Sequence, residues 1–444
     1  MRTRWIVGII LGLALLALCA GIVIIGLFTV NAIGPFTIRN VVSNQTANVS
    51  AGATQEESFQ VSGPAILDLT NTFGSVNISG SSAFSDTLAI KAELTAWGTN
   101  IDEANQNLDN LNVNMTQSGD TVTVSVEEPQ NVRFASEVDF TIDVPVETTL
   151  VVRTRTGEVT VSGTQGKADL SSDFGSIQVT DLRGGLAAHS RNGRISARRI
   201  QPLENGNGDV DLQSDFGDVT LEDAATQKVS LTSRNGNLTL TNVNASGPVD
   251  LNSDFGGITF KSGQASQLTI ETQNGAVDLA GLAIDGPITS SSNFGDVKLV
   301  DVMGESYDLK TNNGKVTLDG AQGTLKVRDD FGDIEVVNGN QATLDLESRS
   351  GKITYRGSLG AGPHVLDTEF GEIRLGLPAD SAFDFDLETD FGKIQSDFEV
   401  TVSGELDSKH WIGQVNGGGP ELKASTKNGD INLEIASEPG NQNQ

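Results

Sequence analysis

Asp-Phe-Gly occurs at Asp173, Asp215, Asp254, Asp330 and Asp390 of one chain. In a protein kinase this triplet carries a carboxylate to a metal, but it needs a His-Arg-Asp catalytic loop and a glycine-rich phosphate loop. Neither occurs here in that context. Asp215 with Asp218, and Asp330 with Asp333, place two acids across one turn. A hard cation such as Ca²⁺ takes about six to eight oxygen ligands, and the Gly-Gly-x-Gly-x-Asp nonapeptide of calcium-binding repeats is missing. A polysaccharide lyase or glycoside hydrolase needs an acid pair that interrupts the repeat, whereas these acids are spread as evenly as the repeat itself. The histidines, His189, His364 and His410, lie far apart, and His364 falls on a strand position. The sequence therefore predicts no catalytic residue, no metal ligand and no cofactor. The candidate contact residues are His410, Trp411 and Asn416, in a stretch that departs from the repeat. There, an aromatic at a loop tip could stack on a sugar or a protein.

The triplets belong to a longer rhythm. Between Gly157 and Gly392 a corner glycine returns with a period of roughly 20 residues, and fixed self-similarity at such a period marks a solenoid. Counting from each glycine, positions −7 and −5 are apolar, as in Val210 and Leu212 or Val249 and Leu251. Positions +2 and +4 are apolar again, as in Val219 and Leu221 or Ile334 and Val336. Period-two alternation rich in Val and Ile predicts strands with one buried face. Glycine at the corner permits a tight bend or a positive φ. Carrying the inward parity of −7, −5 and −3 on to −1 places Phe and Asn alternately inside the corners.

Charges choose the coil length. Position −2 alternates as Arg155, Asp173, Arg191, Asp215, Arg234 and Asp254. The shorter coil, one glycine per turn, sets opposite charges on adjacent strands, each pair contributing about 0.2 to 1 kcal/mol. A doubled coil would stack acid on acid. The expectation is an all-β, right-handed parallel β-helix or solenoid over residues 150–436, with about 20 residues per coil.

Residues 59–149 read as a small α+β N-terminal cap. Leu67, Leu69, Phe73-Gly74, Val76 and Ile78 form a first coil, ahead of a strand, a short helix from Ile101 to Leu108 and a hairpin around Ser118-Gly119-Asp120. An open solenoid end needs such cover for its unpaired edges. Before it, Trp5 to Val30 is apolar and uncharged behind Arg2 and Arg4. This predicts a transmembrane signal anchor within residues 1–32, with a cytoplasmic N-terminus and everything after it outside. A polar spacer is expected over 33–58. Cys19 is the only cysteine, so no intrachain disulfide can form. The far end is read as a modified coil with a protruding loop at residues 408–420, a final coil around Ile431 and Leu433, and a frayed tail from 437.

A net charge of −29 argues against nucleic acid and against adsorption to anionic lipid. Partners are then the membrane, through the N-terminal helix, and an envelope glycan or protein. Val144-Pro145, Leu150-Val151-Val152, Thr156-Gly157-Glu158-Val159 and the Gly-Asp-Val/Ile coils resemble the bacterial putative adhesin domain family. Gly417-Gly418-Gly419-Pro420-Glu421-Leu422, then Asn428-Gly429-Asp430-Ile431, is similar to the end of that family. The resemblance implies a β-solenoid at the bacterial envelope and supplies no catalytic residues. The function expected is non-catalytic adhesion, scaffolding or envelope interaction at the cell membrane. A carbohydrate-active β-helix enzyme and a calcium-stabilised rod are the alternatives.

Overall fold

The computed structural model describes residues 49–82, 86–127, 136–204, 208–403 and 408–436. The apolar N-terminal run, most of the expected spacer and the tail from 437 lie outside the described residues. Among the described residues no helix is long and apolar enough to cross a membrane.

The repeat folds as an all-β parallel solenoid of about 20 residues per turn. Each coil gives one strand before its glycine and one after it, and each strand pairs in parallel with its counterpart one coil away. Ala168–Phe174 lies between Thr149–Thr156 and Leu186–Ser190, with Leu170 opposite Val152 and Ala188. Ile177–Thr180 lies likewise between Val159–Ser162 and Ile195–Arg198. The residues at −7, −5, +2 and +4 form one continuous core: Val210, Leu212, Val219 and Leu221 are at most 1% exposed. Fully burying a Val or Leu side chain contributes about 1.5 to 3 kcal/mol, so the stack is held by its interior and needs no disulfide.

At the corner the structure departs from the expected parity. Phe174, Phe216, Phe255, Phe294, Phe331 and Phe370 are half-exposed or more, and Phe391 is 79% exposed. Asn192, Asn235, Asn274 and Asn313 also face solvent. The inward place goes to the Ser or Thr at −3 and to the glycine itself. Ser190 Oγ donates to the Gly175 carbonyl at 2.9 Å, Ser214 to Gly193 at 3.0 Å and Thr368 to Gly351 at 3.0 Å. These hydroxyls satisfy carbonyls that a turn would otherwise bury without a partner. Residues −2 and −1 become the outer arc of the bend.

The corner glycines are required by proximity more than by dihedral freedom. A Cβ on Gly175 would lie 1.9 Å from the Gly157 carbonyl oxygen, and one on Gly351 would lie 1.7 Å from that of Gly332. Left-handed backbone appears instead six positions later, within the second strand of most coils, as at Asp223 inside Val219–Thr226, and just past it at Asp181. Asp181, Asp223, Asn242, Ser262 and Asp301 take φ between 51° and 58° there. Asn and Asp tolerate that region better than other side chains.

Both ends of the stack are out of sequence order. The coil of Ile66–Phe73 and Val76–Gly80, although about 70 residues ahead of the array in sequence, pairs directly with Thr149–Thr156 and Val159–Ser162. The outer coil on that side is made by Thr121–Glu127 and Glu137–Val144. Antiparallel strands follow beyond it. Asn112–Ser118 edges one sheet, and Thr87–Gly98 then Val49–Gln60 edge the other. The helix Ile101–Asp109 packs on this edge, its start capped by Asn100, whose side chain accepts from the Glu103 N–H at 2.9 Å.

The supposed spacer is a strand from Val49 onward. Its side chains are mostly polar and exposed because a sheet edge needs only backbone pairing. The coil of Glu421–Thr426 and Ile431–Ile435 is not the last in space. It inserts between the Gly371 and Gly392 coils, pairing with His364–Thr368 on one side and Phe383–Thr389 on the other.

Candidate interaction surface

The insertion completes two exposed rows. In sequence, Glu369-Phe370 is followed by Asp390-Phe391, two acidic Phe corners in succession. In space Lys427-Asn428 stands between them, since Thr426 is paired with both Thr368 and Thr389. Position −1 therefore runs Phe, Asn, Phe, Asn from Phe174 to Asn313, and Phe331, Ser350, Phe370, Asn428 and Phe391 continue it. Position −2 runs acid, base, acid beside it, with Gln273, Asn293 and Asn312 neutral in the middle. Phenylalanines recur every second coil, about 9.6 Å apart at the usual strand spacing.

The charges interact along the stack as their spacing predicts. Arg349 lies 3.6 Å from Asp330, Arg191 3.9 Å from Asp173 and Lys427 3.5 Å from Glu369. These pairs are half-exposed and each contributes about 0 to 1 kcal/mol. They fix register more than they add stability. At the Phe73 end, the Arg155 guanidinium sits 5.9 Å from the ring centroid.

The acids after the glycine have structural partners. Asp218 accepts from the Asn237 N–H at 3.0 Å, Asp296 from Lys315 at 2.8 Å and Asp333 from Lys352 at 2.8 Å. Each carboxylate thereby holds the next coil's turn. Among the described residues no three His, Cys, Asp or Glu side chains gather closely enough to hold a metal.

The three contact residues expected from sequence are placed differently from a loop tip. His410 and Trp411 begin the strand His410–Val415, which pairs antiparallel with Phe383–Thr389 over the outer coil. His410 Nε2 is 2.8 Å from Asp386 Oδ1, and Trp411 packs partly buried against the core. Asn416 has φ 49° and donates to the carbonyls of Ala379 and Ser381 at 3.2 and 2.9 Å. The stretch makes a strand between Phe383–Thr389 and Val400–Val402, then a stapled turn, because Phe383, Phe385 and Leu387 offer it a strand partner. His364 is wholly buried, with Nδ1 accepting from the Leu344 N–H at 3.2 Å and Nε2 at 3.2 Å from the Gly360 carbonyl. Burial holds its pKa below the ordinary histidine value. His189 is exposed on another coil.

The exposed Phe row was missed by parity counting. Its signal was present, since Ser or Thr at −3 occupies the inward place in most coils.

These features define a protein class: a parallel β-solenoid with an interior of aliphatic and hydroxyl ladders and one regular aromatic edge. The chain belongs to the Toastrack DUF4097 family, whose model matches residues 67–291 and again 258–434. The resemblance read from its motifs holds. No curated protein matches the chain. It is similar to a solved structure of a putative cell adhesion protein from Clostridium sporogenes ATCC 15579. That likeness has 12% identity, 86% coverage of this chain, 100% of the other and a TM-score of 0.16. A putative adhesin from Bacteroides fragilis NCTC 9343 is similar at 14% identity, 64% and 96% coverage, and a TM-score of 0.22. Likenesses this slight carry no inference about the role of this chain.

Proposed function

We propose that this protein is a non-catalytic interaction rod, anchored in a bacterial membrane by its N-terminal apolar run and exposing the solenoid outside the cell. The observation that supports it best is the row of exposed phenylalanines. Seven of these rings, from Phe174 to Phe391, are half-exposed or more on one edge, and apolar groups gathered on one face and rimmed by polar residues mark an interaction site. Asp173, Asp330 and Glu369 on the same corners are paired with bases of neighbouring coils, which fits a surface built to stack and present. The partner class is an envelope glycan or protein.

Two measurements test this. The full chain with a C-terminal epitope should fractionate with membranes, and protease added outside spheroplasts should destroy the epitope. Protection until the membrane is permeabilised would overturn the topology. The purified full chain should be retained by an envelope glycan or protein fraction without releasing sugar ends, and Phe216→Ser with Phe255→Ser should reduce retention. Release of unsaturated or reducing ends would replace this reading with an enzymatic one.

A further inference from the structure

The corner edge is self-complementary. Acidic corners carry Phe: Asp215-Phe216, Asp254-Phe255 and Asp330-Phe331. The corners between them carry a polar residue behind a base: Arg191-Asn192, Arg234-Asn235 and Arg349-Ser350. Because the coil spacing is constant, two such edges can face each other along their whole length.

We propose that two copies of this chain associate through this edge, antiparallel and offset by one coil. The inference rests on reading the edge as an interaction surface and names its occupant. The geometry selects the arrangement. A two-fold axis lying across the edge reverses the stack direction but keeps each row facing its own counterpart. An offset of one coil then sets Phe against Asn, and acid against base wherever the row is charged. A two-fold axis along the stack instead exchanges the two rows and sets each coil against its own copy, so each Phe meets the acid of its own corner and each Asn a base. The antiparallel contact is isologous and closed, the commonest form of homodimer. It drops each ring into the gap between two rings of the other copy. The strip from Phe73 to Phe391 is about 65 Å long at the usual strand spacing and two side chains wide. It offers on the order of 800 Å² per copy, the size of a standard stable interface. Alternating charge disfavours the unshifted register, where acid would face acid.

The test uses the full chain in a mild detergent, by sedimentation velocity with bound detergent accounted for. A dimer is expected, and Phe216→Ser with Phe255→Ser and Phe294→Ser should weaken it roughly 100-fold or more. The thermal melt should be unchanged, because these rings contribute little to the core. Geometry is read by disulfide formation in a Cys19→Ser background. Asn274→Cys lies near the middle of the edge and should cross-link to its own copy. Asn192→Cys lies far from its copy and should not. Cross-linking at both positions would mean a parallel pair and overturn the proposal. So would association that survives the Phe substitutions. A monomer whose Phe row retains a soluble glycan would also overturn the dimer while leaving the interaction surface intact. A monomer with no Phe-dependent retention would sink both.

Discussion

Thr389 Oγ1 donates to the Gly429 carbonyl at 2.8 Å, although the two lie 40 positions apart in sequence. Where the same kind of bond occurs between Gly157 and Gly371, as from Ser190 to Gly175 or Thr368 to Gly351, it joins corners that follow one another along the chain. Here it reaches the inserted coil, whose Thr426 Oγ1 donates in turn to the Gly371 carbonyl at 2.9 Å. The Gly429 corner is thus clamped between those of Gly371 and Gly392.

This placement has an electrostatic consequence. Lys427→Glu would put three acids in a row, Glu369, Glu at 427 and Asp390, and should destabilise the chain by about 1 kcal/mol. Glu369→Lys in the same molecule should recover part of that loss. Denaturant melts of the two single variants and the double variant measure the coupling. Strict additivity would remove Lys427 from its place between the two acids.

Glycine proximity separates two corner substitutions that look alike in sequence. Gly351→Ala forces a methyl to within 1.7 Å of a carbonyl oxygen, whereas at Gly257 the nearest atoms are 3.5 Å away and φ is not left-handed. We expect Gly351→Ala to cost about 3 kcal/mol by overpacking, and Gly257→Ala to be nearly neutral. Equal effects in urea unfolding would show that dihedral freedom, not contact, selects the glycines.

Asp329 occupies the −3 place that Ser or Thr holds in most coils. Its Oδ1 accepts from the Phe331 and Gly332 N–H groups at 3.1 and 3.0 Å, while its buried Oδ2 has no partner among the described residues. Burial raises the pKa of this carboxyl. The native state thus holds the proton to higher pH than the unfolded chain, and stability falls as pH rises from the unfolded value through the native one. Asp329→Ser should remove this fall and stabilise the protein at pH 7 by about 1 kcal/mol. The gain should shrink toward pH 4, as melts at both pH values would show.

His364 titrates with the opposite sense. Burial lowers its native pKa, so the unfolded chain takes up a proton near pH 6.5 while the native state resists it. The contribution is fully present above that unfolded value and is lost as pH falls through the window below it. His364→Gln removes the titration, so its melting temperature should fall less than that of the wild type between pH 7.5 and 5. Parallel curves for the two proteins would contradict the assignment.

The sequence alone determined the solenoid, the length of its coil and its aliphatic core. All three are properties of period, and stacking identical coils converts period directly into contact. Val219 and Leu221 could be placed inside because strand alternation has one period and one buried face. The −2 charges set the coil because like charges cannot stack. Tertiary structure decided what period does not encode. Phe216 faces out because Ser214 and Gly217 take the inward places against the neighbouring carbonyl. His410 and Trp411 lie in a strand because Phe383–Thr389 leaves an edge to be paired. The Gly429 coil enters between Gly371 and Gly392 because pairing there buries both of its strands and seats Lys427 between two acids. The sequence carried only a trace of that insertion, the missing base and Asn between Phe370 and Phe391. Such a gap can be read only once the space it leaves is known.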